Sequence, residues 1–202
     1  MPLQNRVTPF GEIVTASWRG AAMGNRGRLH DEAGRLQRAR WKGKAWITCL
    51  LAFKGRHREI MKPDSYTELF FPDEAAAMAA GHRPCAECRR ADFNAFRAAF
   101  AAALPEVGAS PKAAVMDAHL HAARLAPHPV LPAIPEDLPD GAFISSGETK
   151  AYLKWRGAWW LWQGAHYAPA DPPLSAPARL LTPAPMIAVL KAGYTPGIAP
   201  NL

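Results

Sequence analysis

The stretch "GHRPCAECRR", residues 81–90, sets two thiols three positions apart between a run of small residues and a cluster of arginines. What Cys85 and Cys88 hold decides the fold around them. Residues i and i+3 at a turn that runs into a helix place both sulfurs on one side, where backbone N–H groups can stabilise thiolates. Arg83, Arg89 and Arg90 flank the pair and favour thiolate over thiol. A redox dithiol uses the same spacing, but the thioredoxin-like arrangement follows a strand, whereas this motif follows a helix and a Gly-x-x-Pro turn. Inert buried thiols are the remaining alternative. Metal ligation fits the context best, with Zn2+ the expected ion.

Upstream, "DEAAAMAAG" reads as a short helix, with acidic residues at its start and Gly81 as its stop. Downstream, "RRADFNAFRAAFAAAL" is a second helix with Phe93, Phe96 and Phe100 on one face. "KAAVMDAHLHAARL" (112–125) is a third, with Val115, Met116, Leu120 and Ala123 as its apolar stripe. Residues 1–27 read as loop, and "HDEAGRLQRARWK" (30–42) as a short basic helix weakened by Gly34. "KAWITCLLAFKG" and "SYTELFFP" (65–72) read as strands, paired antiparallel through the basic loop between them.

The Pro-rich segment 126–137 reads as a linker without regular structure. Beyond it, "AFIS", "KAYLKW" and "AWWLWQ" are β-like runs. "PAPMIAVLKAG" closes the chain as a helix, with Thr182 as N-cap and Pro183 in its first position. The expected class is α+β: a small β-sheet with helices around a zinc knuckle over residues 1–125, then a small β-rich module over 138–202. "LFFPDEAAAMAAGHRP" and "LLTPAPMIAVLKAGYTP" share a strand–Pro–helix–Gly layout, read here as recurrent local physics.

The 202 residues suffice to bury a core, and no apolar run approaches the ~20 residues of a membrane span. Three cysteines are too few for a secreted disulfide framework, and no signal peptide is visible, so a reducing cytoplasm is the expected compartment. The net charge of +7 is segregated. Residues 1–62 carry 13 Lys/Arg against 4 Asp/Glu, whereas residues 63–202 carry 11 against 13. A polyanion-binding surface gains from such segregation through counterion release, and the alternative is a solvated basic face without a partner. Nucleic acid is the expected partner, along a path of Arg26, Arg28, Arg56, Arg58, Arg83, Arg89 and Arg90.

"ELFFPDEAAAMAAGHRPCAECRR" resembles the second half of the zinc-binding N-terminal domain of Ada-type proteins, which repair methyl phosphotriesters in DNA. The likeness spans about a tenth of the chain: two aromatics ending a strand, an Ala-rich helix, then "AAG", one variable residue and "RPC-x-x-C-R". It implies a zinc ion in a DNA-binding domain, with Cys85 and Cys88 as one ligand pair. The family also places a CxxxC pair upstream, one thiolate of which accepts the methyl group. Here the upstream cysteine is Cys49 alone, so acceptor activity does not carry over directly. Cys49, Cys85, Cys88 and one histidine would make an ordinary zinc site. His30, beside Asp31 and Glu32, is the preferred fourth ligand; His57, in "KGRHRE", is the alternative and suits phosphate contact better.

Other groups carry less. His119 and His121 lie two apart on a helix and so face different ways, and Asp117 with His121 has ion-pair spacing. "GNRGRLH" is a candidate phosphate-contact loop. Trp155, Trp159, Trp160 and Trp162 either fill the core of a small barrel, with one face exposed, or stack on bases. Two other functional classes stay open: an alkyl-transfer or metal-dependent enzyme at the Cys49 site, and a metal-stabilised module that binds protein through its Trp-rich part.

Overall fold

The structure, a computed structural model, describes residues 2–56, 59–171 and 177–199. Its class is α+β, as expected. The first sheet contains β1 (Gln4–Val7), β2 (Ile13–Thr15), β3 (Ala22–Asn25), β4 (Ile47–Cys49), β5 (Leu69–Phe71) and β6 (Arg83–Pro84), in the order β2-β1-β5-β3-β4-β6. The second contains β7 (Val130–Leu131), β8 (Phe143–Ser146), β9 (Lys150–Trp155), β10 (Ala158–Trp162), β11 (Tyr167–Ala170) and β12 (Ala178–Leu180), in the order β11-β10-β9-β8-β12-β7. The helices among the described residues are α1 (Glu74–Ala79), α2 (Arg90–Ala103), α3 (Ala113–Leu125) and α4 (Ala184–Lys191), besides one 3-10 turn, Pro105–Val107. None is long and apolar enough to cross a membrane.

α1 is the pivot. Asp73 caps it by accepting from the Ala76 N–H at 2.8 Å, and all six of its residues are buried. A helix buried all round must present small side chains to its neighbours. Ala77 packs with Val7, Leu69 and Phe71 of the first sheet; Ala75, Ala76 and Ala79 pack with Phe143, Ala151 and Leu153 of the second. Met78 enters the largest cluster, where Phe93, Phe96 and Phe100 of α2 meet Ile144, Tyr152 and the α4 residues Met186, Val189 and Leu190. Residues on both sides of 126–137 therefore share one buried core.

Several local expectations are corrected. Residues 1–27 hold three strands, and two of their glycines permit close backbone approach. A Cβ on Gly24 of β3 would sit 2.1 Å from the Ile47 carbonyl oxygen, and one on Gly20 would sit 2.5 Å from that of Phe71. β3 lies between β4 and β5, so those two strands do not pair with each other. No helix forms over 30–42. Asp31 Oδ1 accepts from the N–H groups of Ala33 and Arg35, at 3.0 and 2.9 Å, and this local turn replaces the first helical turn. Part of the Pro-rich segment is strand β7, paired with β12. Thr182 does not cap α4; its hydroxyl accepts from the Phe143 N–H at 2.8 Å, and Pro183 is the N-cap residue. On α3, Met116 and Leu120 are buried as expected, but Val115 is exposed.

Candidate metal centre

Strand register brings Cys49 to the Cys85–Cys88 turn. β4 and β6 run parallel, with Ile47 beside Arg83 and Thr48 beside Pro84. The next residue on each strand is a cysteine, and the Cys85 N–H closes the ladder on the Thr48 carbonyl at 2.9 Å. Cys88 follows at the end of the turn that enters α2. The three Sγ atoms all lie within 4.8 Å of one another. Tetrahedral coordination with metal–sulfur bonds of ~2.3 Å needs sulfurs about 3.8 Å apart, so small rotamer adjustments suffice.

Backbone donors surround the sulfurs. The Glu87 N–H donates to Cys85 Sγ at 3.4 Å. The Cys49 thiol, helped by the Cys88 and Glu87 N–H groups, pulls the Cys85 thiol down to about 5. The same hydrogen bond, together with burial, pushes the Cys49 thiol far above its ordinary value. Burial also raises Cys88. Among themselves the thiols thus support one thiolate readily, and a bound cation would have to displace the other protons. No two of the cysteines form a disulfide. The group Cys49, Cys85 and Cys88 could hold a metal ion.

Among the described residues, no histidine completes it. His30 lies apart from the thiols and is held by Thr67 Oγ1 at 2.6 Å and the Lys62 carbonyl at 3.1 Å, which occupy both ring nitrogens. Its burial reflects that role in the loop framework. His57, like Arg58, lies outside the described residues. Among the described residues no histidine or carboxylate joins the three thiols.

The thiols instead open onto a cavity of about 470 Å³, walled by Ile47, Leu51, Phe53, Ile60 and Phe70. Glu68 also lines it. This carboxylate is 4% exposed; its Oε2 accepts from the Met61 N–H at 2.8 Å, while Oε1 is buried without a hydrogen-bond partner. Glu68 carried no assigned role in the sequence, since nothing in "TELFF" distinguishes a strand-edge glutamate from a buried one.

The arginine path is redrawn. Arg83 is buried and donates from Nε and Nη2 to the two carboxylate oxygens of Asp117, each at 2.8 Å. That pairing replaces the expected Asp117–His121 contact. Arg26 is also buried, donating from Nε to His82 Nε2 at 2.9 Å and from Nη1 to the Gly11 carbonyl at 3.0 Å. Neither faces solvent. Arg89 bridges Glu74 and Asp92, Arg28 pairs with Asp64, and Arg56 pairs with Glu87. Arg90 is exposed. Exposed cations outside that path include Arg35, Arg38, Arg40, Lys42 and Lys44, on a bend-rich loop that also presents Trp41, 40% exposed.

The Trp-rich strands pack as a sheet rather than a closed barrel. Trp159 enters the α2–α4 cluster, while Trp155, Trp160 and Trp162 lie partly buried against the cluster of Phe143 and Leu153. No family model, no curated protein and no solved structure matches the chain.

Proposed function

We propose that this chain is a zinc protein whose basic N-terminal part contacts nucleic acid, with DNA the form its Ada-like stretch favours. The observation that carries the metal half is the convergence of Cys49, Cys85 and Cys88 within 4.8 Å from two neighbouring strand ends. Thiolates of this kind select soft or borderline cations, and zinc is the common intracellular choice. The ion would tie β4, β6 and the start of α2 together. The nucleic-acid half rests on charge: the loop with Arg35, Arg38, Arg40, Lys42 and Lys44 offers five exposed cations and an exposed indole. Phosphate contact and base stacking need that pairing of residue types.

Elemental analysis of purified protein tests the first half. About one zinc per chain, lost in Cys85→Ser and in Cys49→Ser, supports the reading, and metal-free protein from freshly reduced preparations would sink it. Titration with duplex and single-stranded DNA at several salt concentrations tests the second. Binding that does not weaken with salt would remove the nucleic-acid half.

A second reading is favoured by Glu68. Three thiolates leave one zinc position for a solvent or substrate atom, and a buried carboxylate oxygen without a partner lines the same cavity. A metal-dependent reaction with Glu68 as proton acceptor follows from that arrangement. Glu68→Gln would then abolish turnover while leaving zinc content unchanged.

A further inference from the structure

A second cavity, of about 370 Å³, lies at the seam between the two sheets and shares no lining residue with the thiol cavity. Its walls come from Phe10 and Trp46, the end of α1, the end of α3, the start of the Pro-rich segment and the first residue of α4, Ala184. Most of that wall is apolar. The exceptions are Arg26, Arg124 and His128, and among the described residues no carboxylate lines the cavity.

The two arginines are held in place by neutral acceptors. Arg26 spends Nε on His82 Nε2 and Nη1 on the Gly11 carbonyl. Arg124 spends Nε on the Leu120 carbonyl at 3.0 Å and Nη1 on the Lys44 carbonyl at 3.1 Å. In each, Nη2 is buried and has no hydrogen-bond partner. Both guanidinium carbons lie over the Trp46 ring, 4.1 and 4.5 Å from its centroid. Asp117, whose charge acts on Arg124, is committed through both oxygens to Arg83.

Two buried cations of like sign with no carboxylate bonded to either are costly, although Asp117 favours the Arg124 charge through space; folded proteins pair or ligate such groups. Cation–π contact with Trp46 offsets part of that cost but leaves the Nη2 donors unused. Burial and the repulsion of Arg124 already bring Arg26 down to about 9, and burial brings Arg124 down to about 10. The positive end of the α4 dipole adds to the same potential.

We propose that this cavity binds a small oxyanion, a phosphate or a carboxylate, carried on an apolar body, with Arg26 and Arg124 as its two clamps. Guanidinium groups match such oxyanions through planar, charge-assisted hydrogen bonds, and the fixed orientation of these two lowers the ordering cost of binding. Phe10, Trp46 and Leu180 supply the surface for the apolar part. Because the walls come from both sheets, occupancy would tie the two halves of the chain together.

Calorimetric titration of the full chain in chloride buffer at constant ionic strength tests this, with phenyl phosphate, inorganic phosphate and phenylacetate as probes. The expected result is saturable one-site binding, tighter for phenyl phosphate than for inorganic phosphate. The ratio of phenyl phosphate to phenylacetate affinity then names the oxyanion. Arg124→Gln, near the end of α3, should weaken binding at least tenfold, and Arg26→Lys should do the same while keeping a cation. Lys150→Gln, at an exposed position of β9 that lines neither cavity, should leave it within twofold. No saturable binding of any probe to the unaltered chain would overturn the proposal. So would binding that survives both cavity variants, or binding lost equally with Lys150→Gln.

Discussion

Arg83 and Asp117 form a two-pronged ion pair, each prong 2.8 Å long, between the strand that leads into Cys85 and the middle of α3. Both side chains are almost wholly buried. The arginine next to the knuckle thus anchors the knuckle to a helix rather than offering charge to a ligand. Removing one partner leaves the other charged and stranded, so Asp117→Ala is expected to cost about 3–5 kcal/mol. Urea denaturation measures it, and a loss under about 1 kcal/mol would show that the pair is not the anchor described.

His82 is held neutral by geometry. Its Nε2 accepts from Arg26 Nε, and its Nδ1 faces the Ile47 carbonyl at 3.2 Å, where it donates. Burial first, then the Arg26 charge, keep its pKa well below the ordinary value. The unfolded chain takes up this proton near pH 6.5 and the folded chain does not. Stability therefore falls as pH drops below about 6.5, by about 1.4 kcal/mol per pH unit, until the folded pKa is reached. His121, also depressed by burial, adds in the same direction. Urea midpoints at pH 7, 6 and 5 for the unaltered chain and His82→Gln isolate the effect. The difference of slopes cancels acid release of any thiolate-bound metal, and equal slopes would contradict a neutral buried His82.

Glu74 gathers the chain's end. It accepts from Tyr194 Oη at 2.5 Å, Arg89 Nη2 at 2.7 Å and the Gly197 N–H at 2.8 Å. Burial pushes the Tyr194 hydroxyl up, with the Glu74 charge adding to the shift, so it stays a donor. A hydrogen bond to a charged acceptor contributes about 1.5–3 kcal/mol. Tyr194→Phe should lose about that much in chemical denaturation while keeping the far-ultraviolet circular dichroism of the parent. An unchanged midpoint would mean that the tail is held by packing alone.

Cobalt offers an optical view of the thiol group. Loading the reduced chain with Co2+ should produce a thiolate-to-cobalt charge-transfer band, weakened in Cys88→Ser. His30→Ala should leave the band intact, because both ring nitrogens of His30 bond to Thr67 and Lys62. A band that disappears with His30 would restore that histidine as a ligand.

The exposed basic loop predicts a salt signature. If Arg38 and Arg40 each neutralise one duplex phosphate, replacing both with Gln should reduce the slope of log affinity against log salt by about 1.8. Fluorescence anisotropy at 50–200 mM salt measures it. An unchanged slope would place the contact elsewhere on the chain.

What local chemistry controls was legible in the residues alone: the alanine helix with acidic residues at its start, the phenylalanine stripe of α2, the turn after Gly81 and the i, i+3 thiol pair at a helix entrance. Each is written within a few residues, where capping, small-residue packing and helical periodicity act without distant partners. Tertiary structure alone decided the rest. Cys49 joined the thiol pair because β4 and β6 run parallel in one register, a relation across 36 residues that no spacing encodes. Arg26 and Arg83 left the solvent because His82, Gly11 and Asp117 waited inside for their donors. A buried arginine and an exposed one look alike in sequence; only the folded chain supplies the acceptors that tell them apart. The partnerless oxygen of Glu68 and the two unused guanidinium nitrogens beside Trp46 are likewise legible only after packing, since an unmet hydrogen bond is defined by what surrounds it.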